Sequence, residues 1–378
     1  MTIVYFSTRY FPNLGGLEFF TGNLVAELAH EGHRVYVVTG EPGAEDVKTP
    51  EGVTIIPFDT WGWRRVPFVA WDRRTLEALR QVVALHPDGA VINTRFYGFC
   101  RVAARLCNRR LNLTPVLIDH GTSYIHFDNP AVQWLISRAE DVTTALLKRY
   151  DIRYCGVSRG ASAWLGHFGI KSSGEVNNAI DADAFAAESS GRDFLAQEGL
   201  PACTSTTGVV FDSRLIEGKG LEAFVQAARL LEGEENLHFF VAGDGPLAPW
   251  LAEQADTMGN LSYLGRLTHA DLAALLRQSK IFCFPTQYGE GLPTNLLEAG
   301  ACGCALITTQ TGGTDEIVPT PAHGIVLERG DAEEIAQVIR GLIADPARLR
   351  RLRRAAAGHV RERFSWRNSA AQLLAVMR

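Results

Sequence analysis

The sequence predicts an α/β protein made of two doubly wound parallel-sheet domains, and three observations lead there. The chain has 378 residues, too many for one ordinary core. Short apolar runs alternate with stretches of helical periodicity, the signature of strands joined by crossover helices. That alternation lapses in a polar, Ser/Gly-containing stretch over Ala184–Thr206 and then starts afresh, which marks a crossover between domains.

The elements follow in order. Ile3–Ser7 reads as a buried strand, and the loop Phe11-Pro12-Asn13-Leu14-Gly15-Gly16 leads into a helix striped by Phe20, Leu24 and Leu28. His30-Glu31-Gly32-His33 stops that helix before a strand over Arg34–Thr39. Val91–Thr94, Val116–Asp119 and Tyr154–Ser158 read as further strands, with helices expected over Arg73–Leu85, Phe99–Arg109 and Val132–Arg149. In the second half, strands are expected over Gly208–Phe211, His238–Gly243, Ser262–Gly265, Ile281–Pro285 and Ala305–Thr309. Helices are expected over Gly220–Leu231, Ala248–Thr257, Ala270–Gln278 and Asp331–Ala344, then Pro346–Arg363 and Trp366–Met377.

Composition, 46% hydrophobic and 21% charged, is that of a soluble globular protein. No apolar run approaches the roughly 20 residues that span a bilayer, and the opening strand Thr2–Phe6 has no basic lead-in of a signal peptide. Seven cysteines without a C-x-x-C pair suit a reduced, cytoplasmic protein with buried thiols. Cys302-Gly303-Cys304 fits core packing better than half a metal site. The net charge of −5 is uneven: residues 64–110 hold ten arginines and three acids, a basic region suited to an anionic partner.

The stretch from Tyr288 to Gly303 carries the most chemistry. Glu290 and Glu298 flank Gly291-Leu292-Pro293-Thr294, between the apolar runs Ile281–Pro285 and Ala305–Thr308. The order is buried strand, glycine loop, short helix, next strand. Sites in such sheets lie at the carboxyl ends of strands, where helix N-termini face the ligand. Acids beside a helix N-terminus suit a ligand with both hydroxyls and phosphates, as in a sugar nucleotide.

Motifs in order extend this reading. Pro12-Asn13-Leu14-Gly15-Gly16-Leu17-Glu18 resembles the Gly-Gly loop that opens retaining GT-B glycosyltransferases of family 4. Asn178-Ala179-Ile180-Asp181 resembles their crossover motif, and Ser213-Arg214-Leu215-Ile216-Glu217-Gly218-Lys219-Gly220 their Arg-Leu…Lys-Gly motif. Val241–Pro246 and Leu264-Gly265-Arg266-Leu267 match two further signatures, Glu290 to Glu298 falls on their Glu-x7-Glu motif, and Phe364-Ser365-Trp366 resembles the lead-in to their last helix. Two departures stand out: Ala179 and Ser213 replace glycines, so the turn at Ala179 has to avoid positive φ or tolerate strain.

The resemblance implies two Rossmann-like domains facing across a cleft. Residues 1–180, with a returning C-terminal helix over 364–378, would bind the acceptor, and residues 181–363 the nucleotide sugar. It implies Arg214 and Lys219 on the diphosphate, Glu298 on the ribose hydroxyls, and Glu290 on the sugar. Backbone N–H groups of Gly291, Leu292 and Thr294 would reach sugar or phosphate, Pro293 having none. Gly15 and Gly16 permit close approach of a diphosphate at a helix N-terminus, or simply make a tight turn. His120 would lie beside the donor sugar, where its ring or backbone stabilises developing positive charge; its other reading is structural, and Asp119 beside it is a weaker candidate. Fixed cations where negative charge builds on the leaving diphosphate lower the barrier, so no metal or other cofactor is expected. Asp181-Ala182-Asp183 lies in the crossover and is not read as a metal site, and Gly243-Asp244-Gly245 is read as a turn.

The implied activity is transfer, with retention, from a UDP- or GDP-linked sugar to a glycan, lipid-linked or small-molecule acceptor, as in polysaccharide biosynthesis. Trp61-Gly62-Trp63-Arg64-Arg65, followed by Trp71-Asp72-Arg73-Arg74, interleaves tryptophan with arginine. Two readings stand: a peripheral contact with an acceptor or anionic surface at the inner face of the membrane, or a loop whose tryptophans pack inward. Rivals are a GT-B epimerase, a sugar phosphorylase (disfavoured because Lys219 and Lys280 are the second domain's only lysines) and a silent sugar-nucleotide-binding subunit. A dinucleotide oxidoreductase is disfavoured because neither half opens with G-x-G-x-x-G. Nothing points to nucleic acid.

Overall fold

The computed structural model describes residues 1–13, 15–63, 66–124, 129–201 and 205–378. Leu14, Arg64 and Arg65, and the side chain of Trp63, lie outside the described residues. Two compact units emerge: Met1–Asn178 together with Trp366–Arg378, and Ala179–Ser365.

The first unit carries strands β1 (Thr2–Phe6), β2 (Arg34–Thr39), β3 (Val53–Pro57), β4 (Thr60–Trp63), β5 (Val66–Val69), β6 (Gly89–Asn93), β7 (Val116–Asp119), β8 (Arg153–Gly156) and β9 (Gly174–Glu175). Seven of them form one parallel sheet in the order β3-β2-β1-β6-β7-β8-β9, with Val4 opposite both Tyr36 and Ala90. Chain order reverses at β1 and β6, so the carboxyl ends of these two strands frame the crevice where doubly wound sheets bind ligands. β4 and β5 stand apart as an antiparallel hairpin.

One face of this sheet is covered by the helix Gly16–His30, whose buried stripe is Phe20, Leu24 and Leu28, as the spacing predicts. The terminal helix Trp366–Met377 lies beside it and inserts Ala370 and Leu373 into the same core. Burying a leucine fully is worth about 1.5–3 kcal/mol, so this helix is a structural member of the first unit. The opposite face is packed by Arg73–Ala84 and Gly98–Leu106, through Ala78, Val82, Phe99 and Ala103.

The second unit has β10 (Thr207–Asp212), β11 (Leu237–Ala242), β12 (Leu261–Tyr263), β13 (Ile281–Phe284), β14 (Ala305–Thr309) and β15 (Ile325–Leu327), all parallel in the order β12-β11-β10-β13-β14-β15. Here the reversal falls between β10 and β13, in register through Val209–Ile281 and Val210–Phe282. The chain leaving β10 holds Ser213 and Arg214, and the chain leaving β13 holds the loop to Glu290.

Several expectations need correction. Residues 184–206 do not mark the crossover between the units: they fall within the second unit, and two short helices, Ala182–Ala187 and Phe194–Gln197, interrupt a stretch that is otherwise irregular among its described residues. Asp181 and Asp193 cap them, accepting from the N–H groups of Ala184 (2.9 Å) and Ala196 (3.0 Å), while Phe185, Phe194 and Leu195 are buried in the core. Polar average composition concealed these apolar anchors, Phe185 and the adjacent Phe194 and Leu195. The helix expected to reach Arg109 ends at Leu106 and widens into a π turn over Cys107–Leu111. Strands β3, β9 and β15 and the β4–β5 hairpin were not expected. Ala179 does avoid positive φ, as its side chain requires.

Candidate functional site

The second unit builds its site at the β10/β13 crevice. Beyond β10 the chain turns at Ser213–Leu215, and Leu215 N–H donates to the Asp244 carbonyl at 2.9 Å. Gly243 makes that approach possible: its φ is +129°, and a Cβ there would lie 1.9 Å from the Ser213 carbonyl oxygen. The Gly243-Asp244-Gly245 segment is therefore a turn that positions Arg214. The Arg214 side chain is exposed and has no ion pair among the described residues.

Lys219 is 6% exposed, and its ammonium pairs with the Glu290 carboxylate. It also lies 4.5 Å from the ring centre of Tyr288 and 5.7 Å from that of Phe284. A buried cation between a carboxylate and two π faces is held in one place. Lys219 and Glu290 thus come together directly.

The loop carrying Glu290 is braced from β14's side of the sheet. Gly313 N–H donates to the Gly291 carbonyl at 3.0 Å. Gly312 has φ +49°, and a Cβ there would lie 1.5 Å from the Glu290 carbonyl oxygen. Leu292 and Pro293 are buried, Gly291 is half-buried and Thr294 is exposed. Helix Thr294–Ala301 follows Pro293 and has no side-chain N-cap, so its first turn offers N–H groups to an anion.

Asn295 Nδ2 donates to the Asp212 carbonyl oxygen at 2.8 Å, tying this helix to the end of β10. Glu298, one turn further along the same face, is thereby brought towards Asp212. Burial raises the Asp212 carboxyl to about 7. Burial, with the neighbouring charge of Asp212, raises Glu298 to about 8. Two carboxyls in one desolvated site resist ionising together, so near neutrality the pair holds a proton. Asp212 was missed by sequence reasoning, where an acid ending a strand reads as a turn residue.

In the first unit, Gly15 is the extended N-cap of Gly16–His30 (φ −165°), and Gly16 has open space at its Cβ position. Around them the β1/β6 crevice holds a closed hydrogen-bond network. Ser7 Oγ donates to the Arg9 carbonyl (2.7 Å) and Thr21 Oγ1 to the Leu17 carbonyl (2.8 Å). Each hydroxyl has one proton, so each accepts from Asn93 Nδ2, at 3.1 and 2.6 Å. That orients the amide, and Asn93 Oδ1 faces His120 Nε2 at 2.7 Å. An amide oxygen only accepts, so His120 carries its proton on Nε2, leaving Nδ1 as an acceptor. Burial lowers the imidazole to about 3, so the ring is neutral, and Phe20 meets it edge-on at 4.7 Å. Sequence reasoning found His120 but not Asn93.

Asp119 has a different role from the one considered for it. Its carboxylate is bound to Arg95 at 2.9 Å, and Arg95, 1% exposed, also pairs with Glu140 at 2.7 Å and donates to Thr144 at 3.1 Å. The cluster is a buried brace beneath His120. Thr94, just before it, has φ +60°, an uncommon conformation for a β-branched residue.

Among the described residues no three His, Cys, Asp or Glu side chains gather as a metal site. Asp181 is a helix cap, and Asp183 pairs with Arg361 at 3.2 Å. No described helix is long and apolar enough to cross a membrane. Trp61 and Trp71 are exposed rather than packed inward, at 63% and 64%. Arg73 pairs with Glu77, and Arg74 with Glu45 and Asp59, so those two arginines are already neutralised.

The profile described as Glycosyl transferases group 1 matches residues 204–359, and that described as Glycosyltransferase Family 4 matches residues 14–184. The chain is 33% identical over 172 residues to the GDP-mannose-dependent monoacylated alpha-(1-6)-phosphatidylinositol monomannoside mannosyltransferase of Corynebacterium glutamicum, a stretch that is 43% of this chain and 45% of that protein. It is 23% identical over 361 residues to the phosphatidylinositol N-acetylglucosaminyltransferase gpi3 subunit of Schizosaccharomyces pombe, covering 90% of this chain and 72% of that one. The match to the mannosyltransferase, like that to the glycogen synthase of Mycobacterium tuberculosis at 41%, spans less than half of the relative's length. Among solved structures, Anabaena Alr3699/HepE in complex with UDP is similar at TM-score 0.75 and 18% identity, with 100% of this chain and 99% of that one covered. WaaG, a glycosyltransferase involved in lipopolysaccharide biosynthesis, is similar at TM-score 0.66 and 16% identity, with 99% of each chain covered.

Proposed function

Because the chain belongs to the group 1, family 4 glycosyltransferases of GT-B fold, we propose that it moves a sugar from a UDP- or GDP-sugar to a glycan, lipid-linked or small-molecule acceptor, with retention and without a metal ion. The observation that carries this reading is the β10/β13 crevice, where Lys219, in the chain that leaves β10 with the exposed Arg214, pairs with Glu290, in the loop that leads to a helix without a side-chain N-cap.

Arg214, Lys219 and the N–H groups of Gly291, Leu292 and Thr294 take the diphosphate and sugar. A cation about 4 Å from a phosphate oxygen contributes roughly 4 kcal/mol at an effective dielectric near 20, before desolvation. In this reading two such cations supply the positive charge that a divalent ion would otherwise bring to the leaving diphosphate. Glu298 accepts from the ribose hydroxyls and Glu290 from the transferred sugar. The acceptor attacks from the face the diphosphate leaves, and the departing phosphate takes its proton, so no separate general base is needed. His120, neutral with Nδ1 unprotonated, accepts a hydrogen bond from a substrate hydroxyl. The first unit, with Gly15 and Gly16 at a helix N-terminus, binds the acceptor side. Buried free thiols at Cys100, Cys107, Cys155, Cys283 and Cys304 suit a reducing cytoplasm.

Thermal-shift and calorimetric titration with UDP-, GDP- and ADP-sugars tests the reading. One nucleotide class should raise the melting temperature, with or without EDTA, and the product should keep the donor's anomeric configuration by NMR. If no nucleotide sugar binds, the reading fails. A requirement for manganese would remove the metal-independent form of it.

A further inference from the structure

A groove of about 480 Å³ opens on the first unit between the β4–β5 hairpin and the helix Gly98–Leu106. Its volume lies in the roughly 300–1,000 Å³ range of small-molecule sites. Trp61, Phe68 and Trp71 line it while 63%, 50% and 64% exposed, and the Trp61 and Phe68 rings lie 5.2 Å apart. Three large aromatics left in water at one place mark a surface that is covered in use.

Charge says what covers it. Arg101 and Arg105 also line the groove, one helical turn apart and therefore side by side. Both are exposed, and neither forms an ion pair among the described residues. Arg73 and Arg74, near the hairpin, are by contrast matched by acids. The lining contains no Asp, Glu, Asn or Gln, so sugar hydroxyls would find no side-chain acceptors of those kinds. A ligand that satisfies this groove brings hydrocarbon for the aromatics and an anion for two guanidinium forks, which grip phosphate oxygens bidentately.

We infer that this groove binds a single lipid phosphate, an apolar chain ending in a phosphate ester, with the chain on Trp61, Phe68 and Trp71 and the phosphate on Arg101 and Arg105. The inference rests on the glycosyltransferase reading only in choosing the lipid-linked class among the possible acceptors.

The test is titration of the full chain with geranyl phosphate below its micellar concentration, read by tryptophan fluorescence and calorimetry, beside geraniol and inorganic phosphate. Geranyl phosphate should bind at least about 10-fold more tightly than either half alone, since one ligand then makes both the apolar contacts and the charge-assisted hydrogen bonds. Arg101→Gln with Arg105→Gln should weaken it about 10-fold or more, and Trp61→Ala should weaken geraniol and geranyl phosphate alike. Both variants should keep the wild-type melting temperature and nucleotide-sugar shift. Equal binding by wild type and the double arginine variant would overturn the inference. So would sedimentation with anionic vesicles in the absence of any binding of the monomeric lipid. Lipid binding without any nucleotide-sugar binding would instead sink the transferase reading and leave the groove intact.

Discussion

Asn93 Oδ1 accepts a hydrogen bond from His120 Nε2–H at 2.7 Å, and the orientation of that amide is dictated by Ser7 and Thr21, whose protons are both committed to backbone carbonyls. Long-range ¹H–¹⁵N NMR should therefore show His120 as a single neutral tautomer with the proton on Nε2. Asn93→Leu should mix the tautomers and lower turnover by about 10-fold, the value of one hydrogen bond near 1.4 kcal/mol. A proton found on Nδ1 in the wild type would refute the network.

The same ring gives a stability slope. Unfolded, His120 titrates near 6.5; folded, burial holds it at about 3. Between those values the unfolded chain binds more protons, so stability falls as pH falls through that window. Urea midpoints of wild type and His120→Gln should diverge from pH 6.5 down to pH 4, the variant losing less. Parallel curves would mean that the ring titrates normally.

Asp212 and Glu298 act in the opposite sense. Their folded values, about 7 and about 8, lie above the unfolded 3.8 and 4.5. Their contribution is full below pH 4 and is lost as pH rises towards 8, because the unfolded chain ionises first. The double variant Asp212→Asn, Glu298→Gln should melt higher than wild type at pH 8 and level with it at pH 4. A wild type insensitive to pH between 5 and 8, with the variant unchanged, would contradict the pairing.

The two motif glutamates should separate kinetically. Glu298→Ala should mainly raise the donor Kd, whereas Glu290→Ala should lower kcat by about 100-fold, the scale of a lost transition-state contact. Lys219→Met combined with Glu290→Ala should cost little more than the worse single change, since the pair acts as a unit. Full additivity, or small equal effects of Glu290→Ala and Glu298→Ala, would mean that neither acid holds the donor.

Gly312→Ala probes the brace under the loop. Its Cβ would sit 1.5 Å from the Glu290 carbonyl oxygen in a left-handed backbone. Stability should fall by about 1–3 kcal/mol and donor affinity with it, by chemical unfolding and calorimetry. Retained affinity would show that the loop repacks freely.

Most of the second unit was legible in the sequence because its strands carry short apolar centres, such as residues 209–211 and Ile281–Phe284, and its helices carry clear stripes. The Ala305–Thr309 strand and the two last helices match residue for residue. The edge strands β3, β9 and β15 were not, being short or half-polar, and the β4–β5 hairpin lacks a turn signature such as Asn-Gly. At the candidate site, Arg214, Lys219, Glu290 and Glu298 stood out through spacing. Asn93 and Asp212 did not, because each matters only for what lies beside it in space, 27 residues away in the case of Asn93 and His120.

The first unit takes its closing helix from beyond the second. Residues 1–178 hold the sheet, yet Ala370 and Leu373 complete its core. During synthesis this sheet therefore waits, with part of one apolar face uncovered, until all of Ala179–Ser365 has left the ribosome, while the second unit, continuous in sequence, can fold as it emerges. The first unit is thus the one whose apolar face stays longer in water during synthesis, and the helix Trp366–Met377 sets when that exposure ends.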